Sequence, residues 1–338
     1  MQIQSDSTKS KAWLYYFYTF IHLPMITFGY LLFIRSAIKT TKTYQASLTA
    51  IGPLFSRYIY HSLGSRPDQT ASDLLKALPN ISVNGLHYLF DPTIKAVGLS
   101  GYTPPKFQYP MPGPVKLQYL IAERTYFLDQ ALTQAKNGIK QMVVLGAGFD
   151  SRAYGPLKEA KINFFEVDIS TTQTLKRKCL ERSGTPHKHV NYVSLDFEKE
   201  DWFEALIKAG FNPSVKTFFL WEGVSYYLQE HTVAKTLNTV ATRSCPGSLL
   251  AFDYFSTDYV SGKTLLYKIL KHRFKKMGEP LLFGIDTTLS AKKKASDYIQ
   301  TQGLTLKSYQ TYTPHTPEAQ KPSFGGIVVA EVPQNPLP

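Results

Sequence analysis

Cysteine and charge are both scarce in this chain, and each shortage excludes a class of protein. Only two of the 338 residues are cysteines, Cys179 and Cys245, and neither lies in a CxxC or Cys/His cluster. This pattern excludes a disulfide-stapled scaffold, predicts no metal site and indicates a reducing, cytoplasmic compartment. Charged residues make up 19% of the chain against 43% apolar residues, a balance typical of folded rather than disordered proteins.

The charges that are present are mostly basic and unevenly spread. Lysine and arginine number 38 against 25 acidic residues, which gives a formal net charge of +13. Residues 261–294 form a basic insert in which Glu279 and Asp286 are the only acidic residues. Such a patch suits anionic lipid, an acidic substrate or simply solvent. No recognised nucleic-acid-binding motif accompanies it, so no nucleic-acid partner is expected.

Residues 12–34 contain no charged side chain of either sign. The segment is long enough to cross a bilayer, but four tyrosines, His22 and a central Pro24 dilute its apolar character. Two interpretations stay open. One is membrane contact, spanning or interfacial, with the rest of the chain facing the cytoplasm; the other is a helix pair, broken at Pro24, packed on the catalytic domain. A cleavable signal peptide is not expected, because no small-x-small site follows.

The predicted secondary structure of the rest of the chain changes near its middle, from helices alone to strands that alternate with helices. Apolar spacing predicts helices over residues 40–99, with breaks at Pro79-Asn80 and Asp91-Pro92, and then a proline-rich linker or lid over 101–114. A helix over 115–136 follows, and strands then alternate with helices over 170–183, 202–209 and 229–243. The predicted strands are 141–145, 163–167, 191–195, 217–221, 248–252, 304–309 and 326–332. This predicts an α/β fold with helices on both faces of a parallel sheet, closed by an antiparallel pair.

The first predicted strand leads directly into Gly146-Ala147-Gly148. Glycines at such a turn let the backbone approach a ligand closely, and Asp168, at the end of the next strand, suits the hydroxyls of a ribose. The third glycine of the dinucleotide fingerprint is missing, because Ser151 occupies its place. The turn therefore predicts a nucleoside cofactor other than a nicotinamide dinucleotide.

Two further strand ends carry groups of the same kind. Asp196-Phe197 follows the third strand, and Glu222-Gly223 follows the fourth. Ligands of open parallel sheets bind outside the carboxyl ends of the strands, so we expect these groups to converge on one crevice. An acidic residue at one strand end is weak evidence, whereas four suitable strand ends together strongly favour a cofactor site.

Several motifs resemble the leucine carboxyl methyltransferase family, which includes bacterial S-adenosylmethionine-dependent O-methyltransferases. The matching segments are Arg124-Thr125 with Asp129, 144–152, 165–168, Asp196-Phe197 and 221–228. The resemblance implies a class I methyltransferase fold (Rossmann-like) with a seven-stranded sheet whose last strand is antiparallel. Together with the composition, this predicts an aromatic N-terminal segment (1–40) that is a candidate membrane anchor, a helical cap with the proline-rich lid (41–114) and an S-adenosylmethionine-binding domain (115–338) that contains the basic insert 261–294.

The same resemblance implies roles for individual residues. Arg124 would pair with the methionyl carboxylate, and Gly146, Ala147 and Gly148 would pass close to the methionyl part. Glu222 would lie near the ammonium and sulfonium groups. Of the remaining cofactor-binding residues, the ribose would be held by Asp168 and the adenine by Asp196 and Phe197.

The acceptor is less well defined by the sequence. A carboxylate acceptor needs no general base, whereas a hydroxyl acceptor does, and no base dyad is evident. Tyr226 and Tyr227 are candidates to orient a small-molecule or peptide-borne acceptor, and the basic insert suits an acidic one. Two rival interpretations stay open: an NAD-dependent oxidoreductase and a non-catalytic, membrane-associated adaptor with a methyltransferase fold.

Overall fold

The computed structural model describes residues 2–44, 47–111, 120–155, 157–158, 161–288, 290–312 and 323–334. The helices are α1 (Gln2–Ile21), α2 (Leu23–Tyr44), α3 (Leu48–Ser62), α4 (Gln69–Ala77), α5 (Val83–Ser100), α6 (Leu120–Ala135), α7 (Ser170–Arg182), α8 (Trp202–Lys208), α9 (Glu230–Arg243), α10 (Thr257–Ser261), α11 (Leu265–Lys276) and α12 (Ala291–Gln300). The strands are β1 (Gln141–Leu145), β2 (Asn163–Asp168), β3 (Val190–Ser194), β4 (Thr217–Trp221), β5 (Leu249–Ser256), β6 (Gly284–Ile285), β7 (Thr305–Thr311) and β8 (Gly325–Glu331).

The chain divides into two units that interleave in sequence. The first unit comprises Met1–Pro112, Gly148–Glu159 and Thr171–His187, and so contains α1 to α5 and nearly all of α7. The second unit comprises Gly113–Ala147, Ala160–Ser170 and Lys188–Pro338, and contains every strand.

The sheet of the second unit has the strand order β3-β2-β1-β4-β5-β8-β7, with β6 beside β5. Neighbours from β3 to β5 run parallel, and β8 runs antiparallel to both β5 and β7. This order, with its single antiparallel strand, is that of class I methyltransferases, so the predicted fold class is confirmed. The order reverses between β1 and β4, which is where an open α/β sheet binds its ligand.

Both faces of this sheet are covered within the second unit. One face carries a large apolar core shared with α8, α9 and α12. Strand β4 is buried at every position, as expected for a central strand whose sequence is a continuous apolar run. Helix α6 lies on the opposite face and carries the side chain of Arg124 towards Asp253 in β5. The predicted arrangement of helices on both faces is therefore confirmed.

In the first unit, α2 and α5 approach each other unusually closely. A Cβ placed on Gly29 in α2 would lie 2.5 Å from the backbone nitrogen of Leu89 in α5, a distance that no side chain permits. Helices α3, α4 and α5 are each preceded by an N-cap residue whose side chain accepts from a backbone N–H of the first turn: Ser47, Asp68 and Ser82. These caps explain why three short helical segments are well defined in this part of the chain.

Two predicted proline breaks differ from the structure. The break in the N-terminal segment falls at His22, not at Pro24, because proline is tolerated in the first turn of α2, where no N–H is needed. Asp91-Pro92 was predicted to break a helix, but Pro92 lies inside α5. No described helix is by itself long and apolar enough to cross a membrane, although α1 and α2, bent by 64°, together have suitable length and composition.

The predicted bounds of the strands, and of the helices after residue 136, agree with the structure to within a few residues, and two segments of the chain lie outside the comparison. Residues 112–119, which include the start of the predicted helix 115–136 and the end of the proline-rich lid, lie outside the described residues, as do 313–322 between the last two strands. The basic insert 261–294 proves to be structured, since α11, β6 and the start of α12 lie within it.

Candidate functional site

The turn after β1 requires its first glycine. Gly146 has a φ of +68°, and a Cβ at this position would lie 2.4 Å from Cγ2 of Val224, beyond the end of β4. The N–H groups of Gly146 and Ala147 both donate to the carbonyl of Val167, at 2.8 and 3.1 Å. The turn is thus fixed against the end of β2 and lies close to the segment that follows β4.

Gly148 and the residues after it belong to the first unit, where they form a buried ionic cluster. Asp150 accepts from Arg57 at 3.0 Å and pairs with Arg152. Burial alone would raise the pKa of Asp150, but Arg152, Arg57 and Lys176 outweigh it and hold that pKa well below its usual value. Asp150 is therefore a structural anion, ionised throughout the working pH range.

Ser151, which replaces the third glycine of the dinucleotide fingerprint, is fully buried in this first unit. Its hydroxyl donates to Asp68 at 2.6 Å, and Asp68 also caps α4 and pairs with Arg66. A glycine here would leave a buried carboxylate with one donor fewer. The departure from the dinucleotide pattern therefore has a definite structural role.

Asp168 ends β2 in the second unit, beside the glycine turn. Its carboxylate is half-buried, and Oδ1 accepts from the backbone N–H of Ile169 at 2.7 Å. The register pairs Leu145 with Val167, so Asp168 lies at the same sheet edge as Gly146. Its position fits the predicted role at a ribose.

Asp196 and Phe197 follow β3 at the same sheet edge. The carboxylate of Asp196 is partly exposed; it accepts from the N–H of Glu198 at 3.0 Å and pairs with Lys199 at 2.8 Å. The hydrogen bond from Lys199 is the main reason that the pKa of Asp196 is lowered. Phe197 packs near Trp202, with ring centroids 6.5 Å apart. This end of the edge is more open to solvent than the end near β4.

Arg124 lies at the centre of a buried network in the second unit. Its Nε donates to Glu222 at 3.1 Å, and its Nη1 donates to the hydroxyl of Tyr226 at 3.0 Å and to Asp253 at 3.2 Å. Its side chain is only 3% exposed. The structure thus brings together three residues that the sequence singled out separately: Arg124, Glu222 and Tyr226.

Asp253 holds this network together, and sequence reasoning assigned it no role. It is fully buried; Oδ1 accepts from the N–H of Gly223 at 2.6 Å, and Oδ2 accepts from the hydroxyl of Tyr312 at 2.7 Å. The available signal was one acidic residue inside the otherwise apolar β5, because a buried carboxylate needs a cation or several donors. Tyr312 gave no comparable signal, since tyrosine is common in this chain.

The electrostatics of the network favour a bound cation. Burial opposes the charge of Arg124, but Asp253, Tyr226 and Glu222 outweigh it and hold its pKa well above the usual value. Two carboxylates face this one guanidinium, so the three side chains carry a formal excess of one negative charge. Among the residues that the structure describes, none accepts a hydrogen bond from Nη2 of Arg124, which leaves the two N–H groups of this nitrogen for a ligand.

Gly223 allows the guanidinium to lie against the backbone. Its φ is +77°, and a Cβ there would lie 3.0 Å from Nη1 and 3.1 Å from Nη2 of Arg124. The backbone conformation favours glycine at this position, and the close approach leaves little room for a side chain unless Arg124 shifts.

Tyr226 and Tyr227 differ in environment. Burial, and then the nearby Asp253, raise the pKa of Tyr226, so its hydroxyl stays protonated at neutral pH and does not serve as a base. Tyr227 is only partly buried, and its ring lies 4.6 Å from that of Tyr226 and 6.1 Å from that of Phe274 in α11. Within the described residues, no cluster of His, Cys, Asp or Glu is arranged to hold a metal ion.

Comparison with known proteins gives one family match. Residues 105–241 match the model of the family described as leucine carboxyl methyltransferase. This range includes the glycine turn and the ends of the first four strands.

Individual relatives are provisionally named as S-adenosyl-L-methionine-dependent methyltransferases. One from Mycolicibacterium gilvum is 31% identical over 56% of this chain and 64% of its own length. Another from Frankia alni is 40% identical over 39% of this chain and 48% of its own. The chain thus spans about half to two thirds of the length of these relatives. A solved S-adenosylmethionine-dependent methyltransferase from Mesorhizobium loti covers 63% of this chain and 99% of its own, at 15% identity and a TM-score of 0.44; the fold assignment rests on the strand order instead.

Proposed function

Because residues 105–241 match the leucine carboxyl methyltransferase family model, we propose that the protein is an S-adenosylmethionine-dependent methyltransferase of that family and that it methylates an oxygen. The acceptor oxygen belongs to a carboxylate or a hydroxyl of a small-molecule or peptide-borne substrate. The predicted motifs in this range carry the family resemblance, and the named relatives support the cofactor.

One observation carries the proposal. The glycine turn after β1 and Asp168 after β2 lie at the sheet edge where the strand order reverses, and the buried network of Arg124, Glu222 and Asp253 lies beyond β4. A ligand that extends from Asp168 past the turn to Arg124 needs hydroxyls at one end and both a carboxylate and a cation at the other. S-adenosylmethionine has this sequence of groups.

The residues present fit the cofactor in three ways. Nη2 of Arg124 suits the methionyl carboxylate, and the excess negative charge around Arg124 suits the ammonium and the sulfonium. The carboxylate of Asp168 suits the ribose hydroxyls, while Asp196 and Phe197 suit the adenine. A dinucleotide fits less well, because the place of the third glycine is taken by the buried, hydrogen-bonded Ser151.

The chain itself contributes binding and alignment. When bound, S-adenosylmethionine supplies a methyl group already activated on a sulfonium. Arg124, Glu222 and Asp253 are held rigidly by mutual hydrogen bonds, so they orient the methionyl end without reorganisation. Alignment of reacting groups contributes about 7–11 kcal/mol to such reactions. The protonated hydroxyl of Tyr226 is suited to orient an acceptor oxygen, and no proton transfer is needed if that oxygen is a carboxylate.

Labelled methyl transfer tests this proposal. The protein is incubated with methyl-labelled S-adenosylmethionine and a cell extract, beside the Asp168→Ala variant and an Asp297→Ala control on the exposed side of α12. We expect label in a fraction of the extract with the wild type and the control but not with Asp168→Ala. Mild base then releases labelled methanol from a methyl ester but not from an ether. Incorporation that is the same with Asp168→Ala would contradict the proposed site.

We also propose that α1 and α2 contact a membrane from the cytoplasmic side. The charge-free residues 12–34 form the second half of α1 and the first half of α2. Many of their side chains are exposed, and the large exposed ones are aromatic or aliphatic. The exposed large apolar residues are Trp13, Leu14, Tyr16, Phe17, Phe20, Ile21, Leu23, Phe28, Tyr30 and Leu31. So many adjacent exposed apolar side chains are unusual for a helix that contacts water alone.

Flotation on neutral phosphatidylcholine vesicles tests this second proposal. We expect the full chain to float with the vesicles and the Trp13→Ser/Phe20→Ser double variant to float much less. Leu99→Ser, at an equally exposed position in α5, is the control and is expected to behave as the wild type. An adaptor without catalytic function would bind vesicles in the same way but would not bind S-adenosylhomocysteine.

A further inference from the structure

Helix α11, in the second unit, combines basic and exposed apolar residues. Its twelve residues include five lysines and arginines and no acidic residue, and none of the twelve is buried. Leu265, Leu266 and Ile269 are 75%, 55% and 46% exposed. A helix on the surface of a domain normally turns such residues inward, so this outward placement needs a cause.

Packing within the domain does not supply that cause. The helix is already anchored by Tyr267, whose ring lies 4.8 Å from that of Tyr259, and by Phe274, whose ring lies 6.4 Å from that of Phe255. Thr264 caps its first turn by accepting from the N–H of Tyr267. The three exposed apolar residues lie on the first two turns, and about half or more of each side chain's surface remains open to solvent.

The basic residues of α11 form no ion pair with any residue of the described ranges. These basic residues are Lys268, Lys271, Arg273, Lys275 and Lys276. Cations in the last turn complement the helix dipole, which accounts for part of this pattern but not for the exposed leucines in the first turn.

Helix α12, in the same unit, is a useful contrast. It also carries three consecutive lysines, but two of them have acidic partners close by in the chain. Lys293 pairs with Asp297 one turn later in α12, and Lys294 pairs with Asp286 just before the helix. None of its large apolar residues is exposed. It is therefore an ordinary solvated basic helix, whereas α11 differs in both charge pairing and apolar exposure.

We propose that α11 binds the surface of an anionic lipid bilayer. Its apolar first turns enter the boundary between headgroups and acyl chains, and its lysines and arginine contact lipid phosphates. A short basic helix with outward leucines has the composition of an interfacial helix, and charge complementarity selects anionic over neutral lipid. This contact is independent of methyl transfer and of the N-terminal helices.

Vesicle flotation of the full chain tests the proposal. Binding to vesicles of phosphatidylcholine with phosphatidylglycerol is compared with binding to phosphatidylcholine alone, for the wild type, Lys275→Gln/Lys276→Gln and Leu265→Ser/Leu266→Ser. The control is Lys292→Gln/Lys293→Gln, which removes the same charge from α12. The altered side chains are all exposed, so melting temperatures are expected to stay unchanged.

We expect the wild type to prefer anionic vesicles and the α11 charge variant to lose about 30-fold in that preference, since each cation near the surface contributes roughly fivefold. The leucine variant should lose affinity for anionic vesicles while the α12 control keeps it. Equal binding to both kinds of vesicle, or an equal loss in the α12 control, would overturn the proposal. Binding of S-adenosylhomocysteine by the α11 variants, measured separately, shows whether the methyltransferase proposal stands regardless of this result.

Discussion

The two ends of the candidate cofactor site differ in how far they are built before any ligand arrives. Near β4 and β5, Arg124, Glu222 and Asp253 are buried and bonded to one another. Near β2 and β3, Asp168 and Asp196 are partly exposed, and their described hydrogen bonds are to nearby main-chain N–H groups and to the surface residue Lys199. One end is part of the folded core, while the other is a pair of side chains at a sheet edge.

Because of this difference, substitutions at the two ends should have different effects on the stability of the protein and on its affinity for the cofactor. A buried ion pair that loses one partner leaves an uncompensated charge, so substitutions in the Arg124 network should affect folding and cofactor binding together. Asp168 and Asp196 are partly exposed, so substitutions there should cost much less stability than substitutions in the buried network, and their main effect should be on binding. The following substitutions test this separation, beginning with the largest expected effect.

Asp253→Ala should destabilise the protein most. It leaves the buried guanidinium of Arg124 without its fully buried partner and removes acceptors from Gly223 and Tyr312, so we expect a loss of about 3–5 kcal/mol in the free energy of unfolding. Urea denaturation measures it. The control, Asp297→Ala in an exposed pair, should change stability by less than about 0.5 kcal/mol. Equal stability of the two variants would contradict the conclusion that the Arg124 network is part of the folded core.

Gly223→Ala should have the next largest effect. The new methyl group meets the guanidinium of Arg124 at about 3 Å, in addition to the strain of a positive φ. Gly278→Ala is the matched control, because Gly278 has a φ of +82° and no atom near its would-be Cβ. Strain alone costs about 1–2 kcal/mol in each variant, and crowding should add about 1–3 kcal/mol in Gly223→Ala only. Thermal unfolding and calorimetry with S-adenosylhomocysteine distinguish them; similar losses in both would show that Arg124 has room to move.

Asp168→Ala should weaken binding without affecting stability. Hydrogen bonds to a charged group contribute about 1.5–3 kcal/mol, so the affinity for S-adenosylhomocysteine should fall about 10- to 100-fold while the melting temperature stays within error of the wild type. A fall in melting temperature as large as that of Asp253→Ala would mean that the open end is also structural.

Lys199→Ala should have the smallest effect and tests the electrostatics of the open end. Because the hydrogen bond from Lys199 is the main cause of the lowered pKa of Asp196, its removal should raise that pKa towards the ordinary value. The carboxylate remains ionised at neutral pH, so cofactor affinity there should not change. Whatever stability the pair adds is present at neutral pH and lost as the pH falls through the lowered pKa. An NMR titration of Asp196 measures the shift, and an unchanged pKa would refute this cause.

Most of the sheet could be predicted from the sequence because β1, β4 and most of β5 are short apolar runs, and helical patterns separate the strands from one another. The glycine turn and Asp168 were recognisable because their chemistry is local to one strand end each. The Arg124 network was predictable only in part, since the contact joins Arg124 in α6 to Asp253 in β5, 129 residues later, and no local pattern records it. Pro92 was misread for a related reason: packing of α5 outweighs the local preference of proline to end a helix.

Binding of the cofactor itself tests the account most directly. Isothermal titration of the full chain with S-adenosylhomocysteine should give saturable heat with a stoichiometry close to one, and titration with NAD should give none. Heat with NAD, or none with S-adenosylhomocysteine from a protein that melts cooperatively, would contradict the assignment of this sheet edge to a methionyl nucleoside.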